Sequence, residues 1–390
     1  VSPELDVVVV GAGAAGLACS RRLRERGLRT RVLEASDGVG GRMRTDALDG
    51  FLLDRGFQVL PTAYPEARRV LDYARLDLRP LARGAIVRAD GRFRRVTDPR
   101  ESPLRGVRSL AGGVIGLRDV PATLRLLRRS GETTAREALE RAGLSTSALE
   151  RFFTPFLRGI FLEPDLQTSS RFLSFVLDAF SSGPAALPAR GIGSIPAQLA
   201  EGLDVSLGAE VAAVGPGRVA LRGGGTVDAR AVVVAAAGLL DEPPAGWNGV
   251  ACAYFDAPEP PLPGAWLVLD GDASGPVNNL CTLTEVAASY GPPGRALVSA
   301  SVVGGGEPDL DAVRAQLRRW FGPIVDGWRH LRTYTIPHAL PAWAAGHDLE
   351  SPARLAPGLF ACGDHRLHPS LNGALASGRR VADAVADPLA

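Results

Sequence analysis

An α/β fold built around a parallel sheet is predicted by three observations. The first is an apolar run, Leu5–Val10, that passes through Gly11, Gly13 and Gly16 in G-x-G-x-x-G spacing into a helical stretch, Ala14–Glu25. The second is a further short apolar run, Thr30–Glu34, that ends on an acid. The third is a set of valine-rich stretches with few polar breaks, as strands buried on both faces require; VDARAVVVAAAG, from Val227, is the clearest and reads as a core strand ending against a ligand.

Taken in order, the chain next carries GVGGRMRT, with Gly38, Gly40 and Gly41 ahead of Arg42 and Arg44, a loop suited to pressing against an anion. Residues 63–78 have helical spacing, with Tyr64, Ala67, Val70, Leu71, Ala74 and Leu78 at steps of three and four. Residues 84–96 read as two short strands around an Asp90–Gly91 turn. An arginine-rich amphipathic piece spans 105–129, and a run of helices is expected on to about Ala179, broken at Pro155 and Pro164, with short helices at Thr133–Ala142 and Ser147–Phe153 and a strongly apolar stretch at Thr168–Phe180. A loop with proline and glycine leads into a helix near Ile195–Glu201, followed by strands at Val205–Leu207, Glu210–Val214, Arg218–Leu221 and Val227–Ala236. A mixed region, 250–340, holds the strand-like ACAYFD, GAWLVLD, NLCTLTEVA and RALVSASVV and a helix at Asp309–Trp320. Beyond Pro357 come a strand, a glycine turn, a loop and a long helix, and no repeat of fixed period is visible.

Composition narrows the functional class. At 390 residues two domains are expected, and an apolar content of 46% excludes disorder. Basic and acidic residues number 44 and 42, a balance that argues against nucleic acid as a partner. The chain has no lysine, so every basic residue counted is arginine, which stays charged where a buried lysine would titrate. Cys19, Cys252, Cys281 and Cys362 lack metal-ligand spacing and read as buried thiols of a reducing compartment. The apolar run enters the glycine turn directly, with no basic-then-apolar leader, and the stretch Ala229–Leu240 is too short to cross a bilayer. A cytoplasmic protein is expected, with peripheral membrane contact left open.

The glycine turn points to the ADP half of a dinucleotide. Gly11 permits the turn, Gly13 lets backbone approach a pyrophosphate, and Gly16 lets the helix pack on a strand. The helix N-terminus would supply amides and dipole to the phosphates, and Glu34 would accept ribose hydroxyls while repelling a 2′-phosphate. Arg42 is placed to clamp the pyrophosphate. Asp364, after Cys362 and Gly363 at a strand end, suits ribityl hydroxyls, and a helix starting near Asn372 would aim its amides at the pyrimidine edge of a flavin. These features sit at three separated places. One discontinuous dinucleotide domain (1–56, 191–245 and 351–390) is therefore expected, with a substrate domain assembled from 57–190 and 246–350.

On VVVVGAGAAGLACSRRL, VLEASDGVGGRMRT, LPARGIGSIPAQLA, VDARAVVVAAAG, YTIPHALPAWAAGH and LFACGDHRLHPSLNGALASGRRVADAV, the chain resembles the FAD-dependent amine oxidase, phytoene desaturase and protoporphyrinogen oxidase superfamily. The resemblance implies a glutathione-reductase-like FAD-binding βαβ domain with an inserted α+β substrate domain. It implies noncovalent FAD, because Cys362 lies upstream of the position where cysteine is attached in some relatives. Gly11, Gly13, Ala14, Gly16, Glu34, Ala35, Gly40, Gly41 and Arg42 match the AMP and pyrophosphate contacts. Val211 matches the residue whose backbone meets adenine. Gly363, Asp364, Leu371, Asn372 and Ala374 match the C-terminal flavin motif. Gly56, Phe57 and Gln58 match the stretch beside the isoalloxazine, and Pro341–Trp343 a region flanking ring or substrate.

Two departures shift the expected substrate. Many amine-oxidase members use a lysine, bridged by water to the flavin, and paired aromatics near the C-terminal motif; here there is no lysine, and His368, Pro369 and Ser370 occupy the approach. The segment 151–180 holds seven phenylalanines, which read either as a domain core or as the wall of a hydrophobic tunnel. The 105–129 piece reads either as a solvated helix face or as a surface for anionic membrane. No histidine spacing supports a metal site; His338, Trp343, His365 and His368 are the candidates for catalysis. The expectation is an FAD oxidoreductase that desaturates an apolar, isoprenoid-like molecule by hydride transfer, with oxygen or a quinone as acceptor, as a monomer or homodimer. The alternatives are oxidation of a C–N bond in an amine or amino acid, and a noncatalytic partner-binding protein stabilised by FAD.

Overall fold

The computed structural model describes residues 4–97, 113–126, 131–240, 246–347 and 351–387. Residues 105–112 and 127–129 of the expected 105–129 piece lie outside the described residues; within them it holds one helix, Asp119–Leu126.

Five parallel strands form the centre of an eight-stranded sheet, in the order Val205–Ser206, Thr30–Leu33, Leu5–Val10, Thr226–Val234, Leu359–Ala361. The alternation of side chains along a strand sends Val7 and Val9 into one core and Val8 and Val10 into another, so the run must be apolar throughout. Strand Thr226–Val234 is shared. Its first residues pair antiparallel with Arg218–Leu221, which pairs in turn with Val211–Gly215, while its second half lies between Leu5–Val10 and Leu359–Ala361. The helices Ala14–Glu25 and Leu371–Ala386 pack together on one face and share the core that holds Val7 and Val9.

A second sheet has seven strands in the order Arg329–Pro341, Trp247–Ala257, Ala296–Val303, Val277–Thr282, Leu267–Asp270, Gly84–Ala89, Arg92–Thr97. All its neighbours are antiparallel except Leu267–Asp270 beside Gly84–Ala89. The expected turn at Asp90–Gly91 joins the last two strands with φ of 52° and 67°, the left-handed pair a two-residue hairpin needs. The phenylalanine-rich region forms a separate helical cluster, with Phe161 fully buried.

Two local expectations are corrected. Residues 63–78 form two short helices, Pro65–Val70 and Tyr73–Leu76, because Asp72 turns its carboxylate onto the amides of Ala74 and Arg75 and starts a new helix. Pro155 breaks nothing: the five-residue π turn Leu149–Phe153 precedes Thr154–Phe161, and the Thr154 amide bonds back to Leu149, a wider ladder that absorbs the proline just beyond. Pro164 does fall between helices, Thr154–Phe161 and Ser170–Ser182.

Candidate functional site

A cavity of about 1080 Å³ extends from the glycine turn to the phenylalanine cluster. At one end it is lined by Gly11, Gly13, Ala14, Ala15, Glu34, Gly40 and Gly41. Gly11 has φ of 103°, a conformation open to glycine, and makes the strand-to-helix turn. A Cβ on Gly16 would run into the Gly11 carbonyl and the Ala235 side chain, so Gly16 sets how closely the helix approaches the sheet. A Cβ on Gly13 would meet no protein atom; the space beside it is cavity. Helix Ala14–Glu25 has no side-chain cap, so its first-turn amides open where Ala14 and Ala15 line the wall. An uncapped helix end and an unfilled space beside a glycine suit a pyrophosphate.

Glu34 holds this end together. One carboxylate oxygen accepts from the Ala12 amide at 2.7 Å; the other accepts from the Ser36 amide at 3.0 Å and the Ser36 hydroxyl at 2.7 Å. A carboxylate has about four acceptor positions, so one remains for a ligand hydroxyl.

Arg42 and Asp364, expected to bind different parts of a cofactor, here bind each other. One guanidinium nitrogen of Arg42 donates to both Asp364 oxygens at 2.8 Å, and another donates to the Ala339 carbonyl at 2.9 Å. Arg44 pairs with Asp37 instead. Beyond Asp364, the long helix Leu371–Ala386 begins at Ser370, whose hydroxyl accepts from the Gly373 amide at 3.1 Å. Ser370, Leu371 and Ala374 line the cavity, so this helix also starts on it.

The middle of the cavity is formed by Gly56, Phe57, Gln58, Tyr64, Trp247, Ile336 and Leu340. Gln58 is fixed by donating to the carbonyls of Arg42 at 2.9 Å and Arg55 at 3.2 Å. Beneath this stretch lies Asp54, buried, which accepts from the Thr45 hydroxyl at 2.6 Å, the Ile192 amide at 2.9 Å and the Tyr290 hydroxyl at 2.8 Å. Its main-chain carbonyl accepts from Tyr254 at 2.8 Å. Burial pushes the Asp54 carboxyl up to about 6, against the opposing pull of those three donors.

The far arm is apolar. Ile115, Val120, Leu124, Phe152, Phe153, Phe156, Ile160, Leu177 and Phe180 line it, with Arg83, Thr97, Thr123, Ser181 and Asn279 as its polar members.

Of the residues singled out from sequence, Gly11, Gly13, Ala14, Glu34, Gly40, Gly41, Arg42, Gly56, Phe57, Gln58, Gly363, Asp364, His365, Leu371 and Ala374 reach this one cavity. Gly16, Ala35, Val211, Asn372, His338, Trp343 and His368 do not line it. Val211 lies in the antiparallel hairpin strand opposite Leu221. Asn372 turns its side-chain oxygen to the Glu66 amide at 2.9 Å. His338 stacks behind Trp247, with ring centroids 5.2 Å apart. Trp343 is buried in the phenylalanine cluster against His347. His368 packs 4.5 Å from the Phe175 ring and shares a hydrogen bond with Ser370, and burial pushes it down to about 4, so it is neutral at pH 7. Burial also lowers His365, the one candidate histidine on the wall. Tyr64, Arg83, Trp247 and Asn279 line the cavity without any signal in the sequence; each sits in an unremarkable stretch and arrives only through tertiary contact. The four cysteines are free, buried and absent from the wall. Among the described residues no cluster of metal-binding side chains occurs, and no helix is long and apolar enough to cross a membrane.

Comparison with known proteins agrees with this geometry. Protoporphyrinogen oxidase 2, chloroplastic/mitochondrial, from Arabidopsis thaliana is 42% identical over 66 residues, 17% of this chain and 13% of that protein. The zeta-carotene-forming phytoene desaturase of Myxococcus xanthus is 39% identical over 77 residues, 18% of this chain and 15% of that one. The matched segments are a small part of either relative's length. The crystal structure of an oxidoreductase from Methanosarcina mazei has the same fold, with a TM-score of 0.76 at 16% identity, over 97% of this chain and 100% of that one. The pattern described as flavin containing amine oxidoreductase matches residues 14–386. That match takes in both the glycine-turn helix and the Gly363–Asp364 loop, and the chain belongs to the flavin containing amine oxidoreductase family.

Proposed function

We propose that the protein is an FAD-dependent oxidoreductase that holds FAD noncovalently and removes hydride and a proton from an apolar small molecule, forming a C=C bond. The observation that carries this reading is one cavity with two unlike ends: an amide-rich pole suited to a dinucleotide and an arm walled by Phe152, Phe156, Ile160, Leu177 and Phe180. Bound FAD would supply the two-electron acceptor.

The chain's own residues hold, orient and exclude. Gly11, Gly13, Ala14, Gly40 and Gly41 would hold the phosphates, and Glu34 the ribose, its charge disfavouring a 2′-phosphate. Asp364, Arg42 and the start of helix Leu371–Ala386 form a second polar group that a nicotinamide dinucleotide would leave unused, which favours FAD. With no thiol on the wall, a cysteine attachment is disfavoured. His365 is the imidazole on the wall placed to take the proton, and burial lowers its basicity. The apolar wall excludes water from the reacting carbon. Apolar surface also continues outward: Leu117 is 76% exposed and Leu124 58%, while Leu124 and its neighbour Val120 line the cavity as well. That continuity gives an apolar substrate a way in.

Oxidation of a C–N bond is the second reading, favoured by the family's description. The test is anaerobic. Purified protein should be yellow, absorbing near ~450 nm through bound flavin. Bleaching by isoprenoid or porphyrinogen substrates, with none by an amine panel, supports the first reading; bleaching by amines alone overturns it. A colourless protein that takes up no added FAD refutes both.

A further inference from the structure

We propose that Arg83 is the anion-binding residue of the apolar arm, so that the substrate is an apolar molecule bearing a carboxylate. The inference deepens the reading of this cavity as a substrate site and rests on it.

The charged side chains on the wall are Glu34, Arg42, Arg55, Arg83 and Asp364. Four are accounted for within the protein. Glu34 accepts from Ala12 and Ser36, Arg42 and Asp364 hold each other, and Arg55 donates to both oxygens of Asp46 at 3.0 and 3.1 Å. Arg83 has neither an ion pair nor a side-chain hydrogen bond to any described residue, and it is not among the residues with further partners. An arginine cannot shed its proton to escape this position. Half-buried in a wall that also contains Leu81, Ala82, Ala85, Pro184 and Leu267, it keeps a full charge and five donors that find no acceptor among the described residues and are left to solvent water. An apolar body entering the arm displaces that water. The bound state then strands the guanidinium unless the ligand itself brings an acceptor.

The backbone around Arg83 is held firmly enough to make this a site. The Leu81 amide donates to the Ala185 carbonyl at 2.9 Å and the Ala82 amide to the Ala265 carbonyl at 2.8 Å. Gly84 on the other side begins the strand Gly84–Ala89 and pairs with Thr97. A planar fork matches a carboxylate bidentately. Charge selects between oxyanions: one guanidinium neutralises one carboxylate, whereas a phosphate dianion would leave net charge buried against phenylalanine.

The test uses flavin-loaded protein and two probes of equal chain length, decanoate and decan-1-ol, with binding followed by calorimetry. Wild-type protein should bind decanoate about tenfold or more tightly than decan-1-ol, the effect of one charge-assisted hydrogen-bonded pair. Arg83→Gln should abolish that preference while decan-1-ol affinity and flavin content stay as in wild type, and Arg83→Lys should restore part of it. Equal affinities in the wild type, or a preference that survives in Arg83→Gln, overturns the assignment. Failure of both probes to bind loaded protein overturns the apolar-substrate reading and this assignment with it. Binding of decan-1-ol without preference for decanoate overturns this assignment alone.

Discussion

At the glycine-turn end of the cavity the wall is made of backbone amides and short side chains; at the phenylalanine end it is made of side chains alone, carried by the turn Leu149–Phe153 and the helices Thr154–Phe161 and Ser170–Ser182. The first end tolerates almost no change in backbone position, because its recognition groups are the backbone. The second tolerates changes of shape, because aromatic side chains repack. At the first end the charged groups are already matched within the protein: Glu34 with Ala12 and Ser36, Arg42 with Asp364. At the second, Arg83 has no partner among the described residues.

The comparison can be broken most severely at Gly16. Gly16→Val would force a branched side chain against the Gly11 carbonyl and the Ala235 methyl, so the helix must leave the sheet. Loss of bound flavin is expected, read as absence of absorption near ~450 nm, with lowered thermal stability. If the variant is yellow, the helix-to-sheet approach is not what builds the phosphate pole.

Next in size is Asp364→Ala. It removes both carboxylate acceptors of Arg42 and leaves the guanidinium without its ion pair, held by the Ala339 carbonyl alone among its hydrogen bonds to described residues. Flavin affinity should fall about ten- to a hundredfold while decan-1-ol binding by the loaded protein is unchanged. A parallel loss of both would show that the two ends are not separable.

At the other end, Phe156→Ala should reverse that pattern. Phe156 stacks on Phe152 at 5.8 Å and meets Phe180 edge-on at 5.4 Å. A stability loss of about 3 kcal/mol is the ordinary cost of such a truncation, to be measured by urea unfolding. Flavin affinity should stay within about twofold, since Phe156 touches none of the phosphate pole.

The smallest expected effect is a pH dependence, and it sharpens the comparison at its midpoint. His368 has its value lowered from 6.5 to about 4, so the unfolded chain takes up a proton that the folded chain refuses; stability falls as pH drops from 6.5 to 4. Asp54 is raised from 3.8 to about 6, so the folded chain takes up a proton that the unfolded chain refuses; stability rises as pH drops from 6 to 3.8. The two oppose each other in the wild type. Asp54→Asn should therefore make the loss of stability on acidification steeper, and His368→Gln should make it shallower, when melts at about pH 7 and about pH 4.5 are compared. Identical slopes in both variants would contradict these assignments.

How much of the site could be read beforehand follows from the same contrast. The phosphate pole was legible because Gly11, Gly13, Gly16 and Glu34 lie within one βαβ unit, where spacing translates directly into position. Asp364 was legible because it follows a strand end and precedes a helix. The pairing of Arg42 with Asp364 was not, since it joins residues 322 positions apart. Nor was the division of the seven phenylalanines: Phe161 is core, while Phe152, Phe156 and Phe180 face the cavity. Both accounts read from the sequence hold, for different residues, because helical spacing says which residues share a face but not what that face meets. His338, Trp343 and His368 are candidates for catalysis from their places beside the segments that carry the resemblance, and packing turns them against Trp247, into the phenylalanine cluster and against Phe175.

Sequence alone sets the strands, the glycine turn and its acid, and the Asp90–Gly91 hairpin, because each depends on a few residues interacting over a short span of chain. Tertiary structure alone decides that the two polar segments and the phenylalanine helices share one cavity, that Asp54 lies buried behind Gly56–Gln58, and that Arg83 lines it without a partner among the described residues. Those are outcomes of long-range packing, in which a side chain's role is set by the elements folded against it.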